Sequence, residues 1–358
     1  MTATGGFSAP GPQDGDPARS RSYAGPPPTG LPLQSHAAMQ QIPMLTAHKP
    51  GIVPLRPLQF GDILDGAVKA VRFNPKSMVG MSALVLAGFL VPSAALGIGA
   101  THLTTTVVSR YGPEAGAFLG IPSTLIQSLS TALATALLSG LLIFVVGQAV
   151  LGRKPDLGQT WRSTRGRLLS LLALLILTGL FSLVSTVLLI GPGVLLLVND
   201  TIGAGAALLL LGVLCTVVVA VYVSTKISLA APAIVLEGHG VFAGLRRSFA
   251  LTKGAAAFWR ILGITLAAGV LAAMVGAMLG IPFSVAGVAI AAMAGQDTEG
   301  GQMVVTFVSH LSALLSGAIT TPFVAAVTGL LYIDRRMRLE ALDVVLIREA
   351  QSNPAPQI

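Results

Sequence analysis

The chain has a single cysteine, Cys215, set inside an apolar run, so it has neither a disulfide framework nor a cysteine-based metal site. Charge is also scarce. Only 10% of the 358 residues are Asp, Glu, Lys or Arg, against 53% hydrophobic, and the mean hydropathy is +0.80. A soluble domain of that make-up cannot cover its surface with polar groups, which leaves lipid as the main solvent. Catalytic signatures are missing as well. There is no Walker A sequence, no His-Glu-x-x-His helix, no Gly-x-Ser-x-Gly elbow and no Gly-rich dinucleotide turn. The chain therefore reads as non-enzymatic, with no cofactor and no metal expected. Its formal charge of +8 does not point to nucleic acid, because the basic residues lie in short segments between apolar stretches and no groove-reading motif accompanies them.

What is present begins with a tail. Residues 1–50 are rich in Pro, Gly, Ser, Ala and Gln, include Pro26-Pro27-Pro28, and lack apolar periodicity. Such a segment buries too little surface to offset its ordering entropy and is expected to be disordered. It has no basic stretch followed by an apolar core, so it is not a signal peptide. From Leu58 the pattern changes. Phe60, Ile63, Leu64, Ala67, Val68 and Val71 recur at helical spacing, with Asp62, Asp65, Lys69 and Arg72 on the other face. This predicts an amphipathic helix in the membrane interface, ending near Asn74-Pro75.

Six apolar stretches follow, near 78–100, 123–151, 168–191, 202–224, 259–292 and 303–333, each long enough for the ~20 residues a helical span requires. The fold class is thus all-α and polytopic: a disordered tail over 1–50, a six-span domain with flanking amphipathic helices over 51–349, and a disordered end over 350–358. Pro282 and Pro322 predict kinks or breaks in the last two spans, while Gly97-Ile98-Gly99 and Gly191-Pro192-Gly193 read as helix terminators. Lys and Arg alternate sharply between connections. Arg56, Lys69, Arg72 and Lys76 precede the first span; Arg153, Lys154, Arg162, Arg165 and Arg167 fill the second connection. Lys226, Arg246, Arg247, Lys253 and Arg260 fill the fourth, and Arg335, Arg336, Arg338 and Arg348 follow the last span. The other three connections hold Arg110 as their only basic residue, beside Glu114, Asp200, Asp297 and Glu299. Eighteen against one predicts that both termini are cytoplasmic. Each basic segment starts near a glycine (Gly61, Gly158, Gly240) and runs through an amphipathic stretch into a span, which suggests three hairpins in a 2+2+2 arrangement.

The stretch Pro54-Leu55-Arg56-Pro57-Leu58-Gln59-Phe60-Gly61-Asp62-Ile63-Leu64-Asp65-Gly66-Ala67, the segment Ala231-Pro232-Ala233-Ile234-Val235-Leu236-Glu237-Gly238 with Leu245-Arg246-Arg247-Ser248-Phe249 after it, and the ending from Leu330 to Asp343 carry a resemblance. Over residues 51–349 the chain resembles bacterial membrane domains of the glycerophosphoryl diester phosphodiesterase type. The resemblance implies a six-span protein of the bacterial plasma membrane. Some such domains are fused to a phosphodiesterase barrel. Fifteen residues follow Asp343, far fewer than the ~200 or more such a barrel needs, so no activity is carried over.

The candidate functional residues are polar groups in or beside the spans. Thr124, Ser128, Thr131, Thr135 and Ser139, with Gln127, form a hydroxyl stripe on the second span; Ser309, Ser312, Ser316 and Thr320, with His310, form another on the sixth. Facing one another, the stripes predict a polar seam: either packing glue or a solute path. Ala268, Ala272, Gly276 and Gly280 predict a helix-packing ridge on the fifth span. Asp62, Asp65, Lys226, Glu237, Arg246, Arg247, Arg335 and Arg336 form a candidate inner-interface set, with Lys226 snorkelling to headgroups. A final amphipathic helix over 334–349, bearing Leu339, Leu342 and Leu346, is expected to lay Arg335, Arg336 and Arg338 on anionic inner-leaflet lipids. The expected partners are the bilayer itself and a membrane protein or second copy, with no nucleic acid. The leading expectation is a scaffolding, assembly or regulatory protein of the envelope; the alternative is a small-solute or lipid transporter using the seam.

Overall fold

A computed structural model describes residues 51–54, 56–295 and 298–340, with the side chains of Thr105 and of 113–124 outside that description. All the described residues belong to the unit Ala47–Ile358. The expected disordered segments 1–50 and 350–358, Asp297, the side chain of Thr124 and the C-terminal stretch beyond Glu340 lie outside the described residues.

Among the described residues the fold is helical, with no strand. The helices are α1 (Phe60–Phe73), α2 (Met81–Tyr111), α3 (Pro113–Val150), α4 (Leu157–Thr164), α5 (Leu168–Val198), α6 (Ile202–Ile227), α7 (Ala230–Glu237), α8 (Val241–Leu251), α9 (Ala255–Ala294) and α10 (Glu299–Glu340). Six of them, α2, α3, α5, α6, α9 and α10, are long and apolar enough to cross a membrane. They pair in sequence order as three hairpins, and the first and third hairpins pack together through α10 against α2 and α3. A short helix precedes each of the first two hairpins, α1 and α4, and two, α7 and α8, precede the third.

Several boundaries differ from the sequence reading. Tyr111 ends α2 and Pro113 opens α3, so the expected connection over 101–122 is helical apart from Gly112, whose φ of 87° makes the turn. Thr101, Thr104 and Thr106 donate to carbonyls four residues back, so the hydroxyls of this β-branched stretch are satisfied within the helix. Gly97-Ile98-Gly99 and Gly191-Pro192-Gly193 are not terminators; both lie inside helices. Gly97 lets α2 meet Thr306, and a Cβ on Gly193 would sit 2.5 Å from the Leu209 amide nitrogen of the hairpin partner. Pro282 and Pro322 are likewise internal, and α9 and α10 run through them without a break.

The surplus length of the long helices explains where the core lies. The 42 residues of α10 extend about 63 Å, twice the ~30 Å of a hydrocarbon core. At the end rich in Lys and Arg, residues 325–333 of α10 are buried apart from Thr328. They are ringed by Ile63 and Ala67 of α1, Leu142 and Val146 of α3, Leu229, Leu251 and Ile261. Gly66 makes this possible, since a Cβ there would come within 2.5 Å of Val53 and 3.0 Å of Leu330 of α10. Thus α1 docks along α10 instead of resting only on lipid.

Candidate functional site

The basic end is tied by two clusters of ionic side chains. In the first, Asp334 is fully buried. Its carboxylate accepts from the Leu58 amide at 2.8 Å, from Arg260 Nη2 at 3.2 Å and from Arg338 Nε at 2.9 and 3.1 Å. Both arginines also donate to the Leu58 carbonyl, at 2.7 and 2.6 Å. One carboxylate and the backbone N–H and C=O of one residue, Leu58, thereby hold the start of α1 against α9 and α10. Nearby, Arg335 donates to the carbonyl of Leu251 at 3.1 Å and pins the end of α8.

In the second cluster, Arg247 of α8 forks onto Glu237 at the end of α7, with both contacts at 3.1 Å, and also meets Glu340. Arg336 completes the ring with contacts to Glu237 at 3.1 Å and Glu340 at 3.0 Å, and His239 adds a contact to Glu237 at 2.9 Å. Burial pulls the Arg247 guanidinium down, but its hydrogen bonds to Glu237 and Glu340 outweigh that and hold it above its ordinary value. It stays charged throughout the physiological range. Below the ring, the Tyr332 hydroxyl is buried without a hydrogen bond of standard geometry.

The basic residues also have protein partners: Arg335 the Leu251 carbonyl, Arg336 the carboxylates of Glu237 and Glu340, and Arg338 Asp334 and the Leu58 carbonyl. Lys226 does not snorkel free: it donates to the Thr252 carbonyl at 3.0 Å, between the Tyr222 and Phe258 rings. Asp62 accepts from the Gln59 amide and caps α1, and Asp65 pairs with Lys69. Arg246 is exposed. Asp334 was not singled out from sequence, and Arg260 was read only as one of the basic residues of the fourth connection. A lone acid among the arginines after a span, and a lone cation near the start of another, were the available signals.

The expected seam between α3 and α10 is largely absent. His310 is 6% exposed and bonds Ser93 of α2 at 3.0 Å and the Thr306 carbonyl at 2.8 Å. Ser312 and Ser316 donate to the carbonyls of Gly280 and Gly276, at 3.2 and 3.1 Å, so they face α9. The small-residue ridge does form this packing face. Ser128 is exposed, and Thr131 bonds within α3. The reason lies in the packing order: α10 lies flat on α9, and α3 reaches it only toward the basic end.

There the stripes do meet. Thr135 and Ser139 of α3 and Thr320, Thr321 and Thr328 of α10, with Ser228, line a chamber of about 490 Å³. On the other flank of α9 and α10, toward α1, lies a mostly apolar groove of about 470 Å³. The two share Ala272 and Thr320 as a common wall. Among the described residues no group of three His, Cys, Asp or Glu side chains converges as metal ligands. The lining of the chamber carries Ser and Thr hydroxyls and, among the described residues, no ionisable side chain. No curated protein and no solved structure matches the chain. Residues 58–328 match a domain of unknown function, DUF7847, and since that match takes in most of the chain, the protein belongs to this family.

Proposed function

We propose that the protein is a non-enzymatic component of the bacterial plasma membrane that assembles with another membrane protein or a second copy through its α5–α6 hairpin, its basic end and both termini in the cytoplasm. One observation carries this reading. Within their most apolar stretches α5 has no buried residue and α6 has 6% buried, against 44% for α3 and α10. Transmembrane helices associate by packing and by hydroxyl hydrogen bonds, and a hairpin that meets the rest of the protein at its foot leaves the surface beyond it vacant. A hydroxyl-lined cleft of about 200 Å³ on the hairpin, with Thr178, Ser182, Ser185 and Thr186 on its α5 side, supports the same reading.

The test places a photo-reactive benzoyl-phenylalanine at Leu188, Leu210 or Leu214 in cells. Adducts from these positions, and none from Met278 on α9, are expected; mixing two differently tagged versions separates a second copy from another protein. A folded chain that gives no adduct from the hairpin overturns the proposal. Sidedness is read separately in a Cys215→Ser background. An impermeant maleimide applied to intact cells should label cysteines at Arg110 and Thr298 but not at Arg162.

The chamber favours a second reading, a small-solute or lipid transporter, now confined to the basic half because His310 is buried against Ser93 and Ser312 is bonded to the Gly280 carbonyl. Cysteines at Thr135 and Thr328 should react with a small maleimide from the basic side while one at Ser312 does not. An unreactive Thr328 ends the transport reading.

A further inference from the structure

We infer that the groove between α1, α9 and α10, with the basic cleft beside it, binds one anionic phospholipid of the leaflet at the basic end. An acyl chain fills the groove and the phosphate lies among Lys69, Arg72 and Lys154. Val68 of α1, Leu271 and Val275 of α9 and Ile319 of α10 come from three helices and converge on this one space. Each is only partly covered, at 41, 43, 42 and 43% exposure. All four are open on one side and line a single groove of about 470 Å³, a wall that an apolar occupant can cover.

Charge identifies the occupant. Arg72 lines the mouth of the groove and also a second cleft of about 330 Å³ that contains Lys69 and Phe73. Lys154 stands over the Phe73 ring at 4.7 Å. Three cations therefore border the cleft, and the one acid there, Asp65, is already paired with Lys69. Among the described residues the Arg72 side chain has no ion-pair or hydrogen-bond partner, unlike Arg335, Arg336 and Arg338. An apolar slot joined to an unneutralised guanidinium matches a molecule with a hydrocarbon chain and a phosphate. A neutral lipid leaves Arg72 unpaired, and a partner helix leaves the cleft unfilled.

The full chain is reconstituted in nanodiscs of phosphatidylcholine containing a trace of phosphatidylglycerol or phosphatidylcholine that carries a photoactivatable acyl chain. Cross-linked peptides are located by mass spectrometry. The phosphatidylglycerol probe should label the segments 64–72, 271–275 and 319–323. Arg72→Gln should reduce that labelling about fivefold, the worth of one basic residue at an anionic lipid, and Arg72→Lys should restore much of it. Val275→Trp, which fills the slot, should lower labelling by both probes. Equal labelling by the two probes, labelling unchanged in Arg72→Gln, or none in the three segments overturns the inference. Each variant is first checked for an unaltered melting temperature, so a folding defect cannot imitate a binding loss.

Discussion

The basic end and the α5–α6 hairpin solve opposite problems with the same kind of helix. At the basic end, elements distant in sequence converge. Leu58, Arg260 and Asp334 meet around one carboxylate, and the surrounding side chains are almost completely buried. The hairpin is local. Gly193, Gly205 and Gly212 bring α5 and α6 into backbone contact with each other, and its foot joins the body, with Leu171 of α5 packing against Ile143, Ile234 and Val235, and Tyr222 and Lys226 of α6 meeting Phe258 and the Thr252 carbonyl. In lipid there is no hydrophobic drive to press helices together. Where water reaches the protein, burial and charge pairing act in full, so the long helices concentrate their cohesion beyond the hydrocarbon.

The most severe way to break this contrast is Asp334→Ala. It leaves two guanidinium groups and the Leu58 amide around an empty site, a loss of about 3–5 kcal/mol for a buried pair that loses one partner. Thermal unfolding of the detergent-purified chain should show a large drop in melting temperature or no folded protein. Asp334→Asn keeps the acceptor oxygen and should fall in between. If Asp334→Ala melts like the parent, the basic end is held by apolar packing alone.

The hairpin is tested on its own terms by Gly212→Val. A Cβ at Gly212 would lie 2.1 Å from the carbonyl oxygen of Leu189, a backbone atom with little freedom to move. Overpacking of this kind costs about 1–3 kcal/mol. Hydrogen exchange should rise in peptides from α5 and α6 while those from the end of α10 keep their protection. A uniform rise would mean that the two regions unfold together and that the hairpin is less independent than its contacts imply.

The contrast was only half legible in the sequence. Apolar runs and the placement of Lys and Arg are local signals, and they outlined the six spans and α1 to within several residues at most ends. Partner choice is not local. Nothing in the spacing of Ser312 and Ser316 indicates that they face α9 and not α3, because both faces of a membrane helix are apolar and periodicity carries little direction. The same holds for Arg335 and Arg336. A basic cluster after a span reads as a headgroup contact until Leu251 and Glu237 are brought alongside. Excess length in the fifth and sixth spans was visible, but the prolines invited a break. In the fold, α1, α3 and α7 enclose the extra turns.

A smaller effect is expected from the second cluster. Arg247 and Glu340 are about a quarter to a third exposed, so water screens their attraction, and a coupling of about 1 kcal/mol or less is expected. A double-mutant cycle with Arg247→Met and Glu340→Gln, read by chemical denaturation, measures it. A coupling as large as the Asp334 effect would make the outer ring, not the buried carboxylate, the main fastening of α8 to α10.

The smallest effect is expected from the polar contact of His310 between α10 and α2. A carbonyl can only accept, so the 2.8 Å contact to Thr306 assigns the proton of His310 to Nδ1, and Nε2 then accepts from the Ser93 hydroxyl at 3.0 Å. Ser93→Ala removes that donor without opening a large space. Hydrogen bonds between membrane helices contribute about 0.6 kcal/mol on average, because the separated helices also find partners for such groups. The melting temperature should therefore shift only slightly, while the ¹⁵N signal of His310 Nε2 moves as its donor is lost. A shift in stability approaching that of Asp334→Ala would reverse the comparison, since α2 and α10 would then owe their pairing inside the lipid to a polar clasp and not to packing.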